Sequence, residues 1–577
     1  MRIFHKIILS CLTWKGQLDV MCMLRNAANA REVNDRLLLR ILHENRNSEY
    51  GLAFKFSDIH SVDEFKRRVP ICTYNDIAPY IDRMYENDEK NLITSNKIIG
   101  YATSSGSVGK PKHIPRTNAD VRIYTKYTVT RFLALAKTYL RKQGTRRVRN
   151  ARGICLLSRY DDVSPFGLTS SNVADIAAKK YFYIYPQILV LPLGRQFKAD
   201  EIDMKYACAR FGLEEKDCSY IFYVFSKGIA ELIEYIRGHW QSIADDIEHG
   251  VTDSSVFIRN DIRAELHRKL RPNPRRAAEI RHECSLGFDS TILARLWPNM
   301  SVISSIGTSA TFERFTESIK KYASGIPIDY SIYGASEGLF AAAHDLNEPG
   351  QLLLADSCFY EFVDPDDAKA EQTLALDELE VGKEYEIIIT NRSGFYRYRF
   401  HDVVRILGYR DKCPIVNFVY RKGQLLNITG EKTNMEQMTA ALAQLEACSG
   451  AKIGEWTVFV DMGDCQHRYA LLAETEDNMD LSSYAEQFDK ILCAVNPQYL
   501  FHKNNQHIDP PVIMNQIPGT HDTWREQRVK AGASVDQVKP VRILDTDEKL
   551  EFFLSRVVPA ELSPGSDNGF RSFCKLK

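Results

Sequence analysis

No Cys-x-x-Cys pair occurs in the 577 residues, although the chain has 13 cysteines. An odd number of thiols without metal-ligand spacing argues against a disulfide framework and a structural zinc site, and fits reduced thiols in a cytosol. A net charge of either sign is also missing, since Lys plus Arg and Asp plus Glu number 75 each. No global field therefore draws nucleic acid or an acidic membrane to the surface. Arg141–Arg152 is locally basic and reads as an exposed loop. The apolar run Ile7–Leu12 is broken by Ser10 and followed by Trp14-Lys15 without a small-residue cleavage site, so it does not read as a signal peptide. No segment is expected to reach the roughly 18 apolar residues that span a bilayer. These absences predict a soluble cytoplasmic protein with neither nucleic-acid nor membrane partners. No internal repeat or low-complexity segment is evident.

What is present is a large apolar fraction, 44% of the chain, enough for more than one core. Val33–Glu44 carries an amphipathic helical pattern, and Ser61 with Glu64 three residues on marks a helix start. Pro70 and Pro79 suggest an extended approach to a strand. Asp120–Leu140 reads as one long helix. In the middle third, strand-like Gly153–Ser158, Gln187–Leu193, Ser301–Gly307 and Pro327–Tyr333 alternate with helical Ala230–Ile247 and Thr311–Ala323. Such alternation favours an α/β sheet covered by helices. Gln351–Val363, Tyr385–Thr390 and Phe395–Arg399 read as an antiparallel, β-rich subdomain. After a boundary near Gly423-Gln424, helix Met435–Leu445, strands Trp456–Asp461 and Tyr469–Glu474 and helix Leu481–Ala494 form a small α+β pattern.

The densest chemical signal is Tyr101–Lys112, where Thr103, Ser104, Ser105, Gly106, Ser107 and Gly109 precede Lys110. Glycines let backbone N–H groups approach an anion, hydroxyls add donors, and lysines add charge. The stretch reads as a phosphate cradle between a strand and a helix, and is also compatible with a solvated turn. It is not the Gly-x-x-x-x-Gly-Lys-Ser/Thr loop, because Pro111 follows Lys110, and it is not a Gly-x-Gly-x-x-Gly fingerprint.

Three further motifs follow. Tyr333-Gly-Ala-Ser-Glu337 ends a strand in a tight turn with an acid able to hold Mg²⁺; it is equally compatible with a capped strand end and an exposed Glu. In Tyr396-Arg-Tyr-Arg-Phe-His-Asp402, aromatic and basic residues alternate before an Asp that can accept two ribose hydroxyls; an ordinary charged strand face fits as well. Phe418-Val-Tyr-Arg-Lys-Gly423 with Thr429–Thr433 lies at the domain boundary and fits either a hinge or a polar linker.

The order and separation of these motifs are the layout of the adenylate-forming enzymes. More narrowly, the chain resembles the Gretchen Hagen acyl acid–amido synthetases, which conjugate plant hormones such as auxin and jasmonate to amino acids. Ser48–Gly51, Tyr74–Tyr80 and the terminal Gly532-Ala533 and Gln537-Val-Lys-Pro540 extend the resemblance over nearly the whole chain. It implies a firefly-luciferase-like α/β architecture. A large N-terminal adenylation domain with a β-rich subdomain (1–423) would be followed by a small mobile α+β lid (424–577).

The resemblance also implies roles. Ser104, Ser105, Gly106 and Ser107 would form the phosphate loop. Tyr333, Gly334, Ala335 and Ser336 would line the nucleotide, with Glu337 near Mg²⁺ and Asp402 on the ribose. Arg421 would mark the hinge, and Lys539 would reach the α-phosphate. Gly307 and Arg131 would lie at the acyl substrate. Two positions depart from the family pattern: Val108 stands in place of a hydroxyl or Gly, and His401 in place of Gly. The implied activity consumes ATP with Mg²⁺, adenylates a small carboxylic acid and passes the acyl group to an amino acid, in a monomer. An acyl-CoA ligase of the same superfamily and a catalytically lapsed binding protein are the alternatives.

Overall fold

The structure, a computed structural model, describes residues 2–104, 112–144, 152–156, 163–171, 176, 184–194, 197–198, 201–306, 310–365, 367, 372–422, 426, 428, 431, 433–463, 466–476, 478–504, 508–531, 538–544 and 546–558. Two compact units divide the chain. One holds Met1–Ser104 and Pro111–Phe418, the other Val419–Lys577.

Among the described residues, the first unit contains three sheets. Strands β1 (Ile98–Ser104) and β2 (Lys112–Thr117) form an antiparallel hairpin in which Ser104 faces Lys112, and β4 (Thr169–Ser171) pairs parallel with β1. The Ser/Gly stretch therefore joins two strands, not a strand and a helix as expected. Strands β3 (Ile154–Cys155), β5 (Tyr220–Phe225), β6 (Val302–Ile306) and β7 (Ile328–Asp329) form a parallel sheet in that order. Its apolar residues, including Ile154, Ile221 and Ile303, are shielded by helices such as Ser226–His249, whose Ile229, Leu232 and Ile236 join the same core. This is the α/β layering that the alternation predicts.

The third sheet has seven strands: β8 (Ile332–Ala335), β9 (Gly338–Ala343), β10 (Gln351–Leu353), β11 (Phe359–Val363), β12 (Glu384–Thr390), β13 (Tyr398–Arg410) and β14 (Cys413–Arg421). Their spatial order is β11-β12-β13-β14-β10-β9-β8. Buried Phe340, Tyr360, Ile387, Ile389 and Tyr396 give it a separate core. The β-rich texture read after residue 350 is this sheet. Its two outermost members on one side, β8 and β9, come from the Tyr-Gly-Ala-Ser-Glu region.

Several local expectations change. Asp120–Leu140 is two helices, Asn118–Tyr127 and Val129–Lys142, broken at Thr128 (φ −97°, ψ −107°). Thr125, Thr128 and Thr130 donate hydroxyl hydrogen bonds to carbonyls one turn back, which competes with the helix ladder at the break. Pro79 lies inside the helix Tyr74–Asn87, which a Thr73–Asp76 capping box starts. Gln187–Leu193 is not a strand: the helix Tyr185–Ile188 runs into it. Ser61 caps the helix Val62–Arg68 as read, accepting from the Glu64 N–H.

At the N-terminus, the helix Arg2–Ala28 contains a stretch, His5–Ala28, that is long and apolar enough to cross a membrane by length and composition. The expectation that no segment reaches that length does not hold. Leu9 of this helix enters the parallel-sheet core, and Gly16 faces the helix Val129–Lys142 so closely that a Cβ there would overlap the Thr130 carbonyl.

The second unit has a three-stranded sheet, β15 (Ile453–Gly463), β16 (Gln466–Thr475) and β17 (Val512–Asn515), with helices Met435–Ser449 and Ala485–Val495 on a core of Leu442, Val458, Leu471 and Phe488. This is the small α+β pattern of the C-terminal sequence.

Candidate active site

The Tyr-Gly-Ala-Ser-Glu motif is a β-hairpin. Tyr333, Gly334 and Ala335 lie on β8, Ser336 and Glu337 form the two-residue turn, and Gly338 opens β9 opposite Ala335. A Cβ on Gly334 would lie 2.8 Å from the Gly338 carbonyl, so the tight crossing needs glycine. Glu337 is buried, 6% exposed, which rules out the exposed-acid reading. Its backbone carbonyl accepts from Arg116 Nη1 (3.2 Å) and Asn391 Nδ2 (2.8 Å), which pins the turn to β2 and to the end of β12. Its carboxylate has no ion-pair partner among the described residues and takes one long hydrogen bond, from the Tyr398 hydroxyl at 3.5 Å.

The second motif carries its charges inside the protein. Arg397 pairs with Glu361 (2.9 Å), and Arg399 pairs with Glu386 (2.7 Å) through two nitrogens, so the basic residues hold the sheet together and do not form a solvated face. Between Glu386 opposite Val403 and Ile388 opposite Arg399, the ladder shifts register. One residue of β12 thus faces Phe400, His401 and Asp402, and a β-bulge forms there. His401 sits in it at φ +70°. Its Nδ1 lies 3.0 Å from Glu386 Oε1. The bulge turns Asp402 inward, where it is 2% exposed and its Oδ2 accepts from the Tyr333 hydroxyl at 2.9 Å. The Tyr333 ring packs tilted on Phe340 and Phe418 at 5.3 and 5.6 Å. Tyr333 with Asp402, and Tyr398 with Glu337, thus form two hydrogen-bonded pairs that tie the β8–β9 hairpin to β13.

Along the chain, GH3 family domain models match in the order N-terminal (residues 22–328), central (351–421) and C-terminal (434–548). The chain belongs to the GH3 family. It is 26% identical over 562 residues to the probable indole-3-acetic acid-amido synthetase GH3.1 of Arabidopsis thaliana, covering 93% of both chains. It is 27% identical over 570 residues to the indole-3-acetic acid-amido synthetase GH3.8 of Oryza sativa subsp. indica, covering 93% of this chain and 92% of the relative. The solved GH3.15 acyl acid amido synthetase superposes with a TM-score of 0.77 at 24% identity, over 92% of this chain and 94% of that one, so the fold is shared.

The other expected GH3 site residues are placed unevenly. Ser104 ends β1. Ser105, Gly106, Ser107, Val108 and Gly307 lie outside the described residues. Arg421 ends β14 just past the border between the two units, and Lys539 is an exposed residue of the second unit.

Arg131, expected at the acyl substrate, pairs with Asp329. It is fully buried, and its Nη1 and Nη2 reach Asp329 at 2.8 and 2.9 Å while Nε and Nη1 bond the Tyr127 and Ala343 carbonyls. Four of its five N–H donors are occupied in this way, the pattern of a buried structural ion pair. His401 takes a backbone conformation that glycine adopts freely, so the Gly expected there from the resemblance suits the same bulge. Histidine is accommodated by its contact with Glu386.

Sequence reasoning misses Arg116, Asn391 and Tyr398 as supports of Glu337. Burial holds the Arg116 guanidinium below its ordinary range, and its Nε is buried without a partner among the described residues. No local pattern marks Arg116, whereas Asn391 stands in the turn Asn391–Gly394 that the sequence does show.

Proposed function

We propose that this GH3 protein is an ATP-dependent acyl acid–amido synthetase: it adenylates a carboxylic acid with release of pyrophosphate, then transfers the acyl group to the amine of an amino acid with release of AMP. The observation that carries this reading is the Tyr333–Asp402 hydrogen bond, which joins two of the family's nucleotide motifs, with Glu337 in the turn of the same hairpin as Tyr333. Support from the relatives is that their names describe indole-3-acetic acid-amido and acyl acid amido synthetases.

A carboxylate is a poor acyl donor because its leaving group is oxide. Its oxygen attacks the α-phosphate of ATP, and pyrophosphate leaves. The amine nitrogen then attacks the acyl carbon of the mixed anhydride, and AMP leaves with its phosphate oxygen. The negative charge that builds on the α-phosphate is stabilised by fixed donors, and this electrostatic stabilisation supplies most of the catalysis in phosphoryl transfer. In this reading, Ser104, Ser105, Gly106 and Ser107 donate to the phosphates, and Lys539 supplies positive charge to the α-phosphate. Tyr333, Gly334, Ala335 and Ser336 line the nucleotide, Asp402 accepts the ribose hydroxyls, and Arg421 reaches the nucleotide from the hinge. Gly307 lies against the acyl group. The region 424–577 acts as a lid over 1–423, excluding water from the adenylate.

Glu337 fits Mg²⁺, which takes one or two carboxylates together with nucleotide phosphates: the carboxylate is buried, lacks an ion-pair partner among the described residues and has oxygen capacity left. When bound, the ion neutralises phosphate charge. The acyl acid and amine are a small organic acid and an amino acid.

The test is acid-dependent exchange of labelled pyrophosphate into ATP with a panel of carboxylic acids. Exchange that Asp402→Ala weakens through the KM for ATP supports the reading. Absence of exchange with every acid overturns it.

A further inference from the structure

Three arginines from distant parts of the chain line one cavity that no motif includes. Arg40 comes from the helix Ala30–Glu44, Arg122 from the helix Asn118–Tyr127, and Arg392 from the turn after β12. The cavity has a volume of about 370 Å³. That lies within the range of about 300–1,000 Å³ usual for small-molecule sites. Among the described residues, none of the three guanidinium groups has a carboxylate at ion-pair distance, whereas Arg131, Arg397 and Arg399 of the same unit are paired.

The acidic lining does not cancel this charge. Asp356 is already held by Lys126 Nζ (2.8 Å) and the Tyr127 hydroxyl (2.9 Å). That leaves Glu44 as the other acidic residue among the lining, against three arginines and the apolar Ala119 and Ile123. Arg392 is half-buried, which raises the cost of leaving its charge uncompensated. Guanidinium forks bind oxyanions through paired N–H donors, and bonds of this kind are the strong ones.

We propose that this cavity is an oxyanion-binding site, separate from the Tyr333–Asp402 pair, for a compact polyanion bearing phosphate or several carboxylates. Arg122 and Arg392 clamp the anion from two sides, and Arg40 closes the third. The site is independent of the assigned chemistry, so it stands or falls on binding alone.

The test is equilibrium dialysis of labelled pyrophosphate against the full chain, with the nucleotide site saturated by α,β-methylene ATP. The expected result is one pyrophosphate retained per chain, with Kd raised roughly ten-fold or more by Arg122→Gln with Arg392→Gln, the loss expected for charge-assisted bonds. Arg40→Gln, an exposed helix-surface change, weakens binding by itself and serves if the double variant does not fold. Competition with tricarballylate sorts the ligand: tighter pyrophosphate binding assigns the site to phosphates, tighter tricarballylate binding to carboxylates. Retention of neither anion, or wild-type affinity in the arginine variants, overturns the proposal.

Discussion

The Tyr333 hydroxyl and the Asp402 carboxylate, 69 residues apart, share a buried hydrogen bond of 2.9 Å. The pair ties the β8–β9 hairpin to the bulge of β13. Removing the donor leaves a buried carboxylate one partner short, at about 1–3 kcal/mol. Tyr333→Phe is therefore expected to lower unfolding free energy by that amount and to weaken ATP binding roughly ten-fold. Denaturant melts and calorimetric titration of ATP check both. Wild-type nucleotide affinity in the variant would separate Asp402 from the nucleotide.

Lys539 is assigned to charge that appears only as the α-phosphate is attacked. Lys539→Ala is expected to leave ATP affinity within about two-fold while pyrophosphate release falls by about 10²-fold or more, the loss typical of a transition-state donor. Equilibrium dialysis and a coupled pyrophosphate assay measure the two quantities. Full adenylation by the variant would remove Lys539 from the chemistry.

The buried pair Arg131–Asp329 gives the opposite expectation, an effect on folding. Breaking a buried pair from one side leaves an unpaired charge and costs about 3–5 kcal/mol. Arg131→Met should thus shift urea unfolding strongly, while any folded fraction keeps the KM for the acid. A raised KM at unchanged stability would restore Arg131 to the substrate site.

His113 and His344 bury Nδ1 without a partner among the described residues, and burial holds both imidazoles below their ordinary value of 6.5. The unfolded chain binds protons at these sites more readily than the native one. Their contribution to stability is therefore complete above about pH 6.5 and is lost as pH falls through the depressed values. The melting midpoint should drop from pH 7 to about pH 5, and His344→Asn should flatten that slope. An unchanged slope in the variant would place the acid sensitivity elsewhere.

Local signals in the sequence carry the parts of the fold that local chemistry decides. Ser61 and Glu64 mark a real helix start, and the apolar runs of β6 and β12 are real strands. Where periodicity is ambiguous, tertiary contacts decide: the apolar pattern of Asp120–Leu140 runs straight through the Thr128 break, and the short run Gln187–Leu193 suits strand and helix alike. Tyr333 and Asp402 are expected at the nucleotide from the family's motifs, but their bond is not legible, because it depends on a bulge that places His401 at φ +70°. The role of Arg131 is hidden for the same reason, since its partner Asp329 lies 198 residues away. Arg116 leaves no trace in the sequence, because its contact is with a backbone carbonyl.

The most direct measurement is mass spectrometry of the products formed from ATP, a mixture of carboxylic acids and a mixture of amino acids. An acyl acid–amido synthetase yields an amide between one acid and one amino acid, formed together with an equal amount of AMP. Nucleotide that stays intact with every mixture, or a thioester formed only when coenzyme A replaces the amino acids, would contradict that assignment.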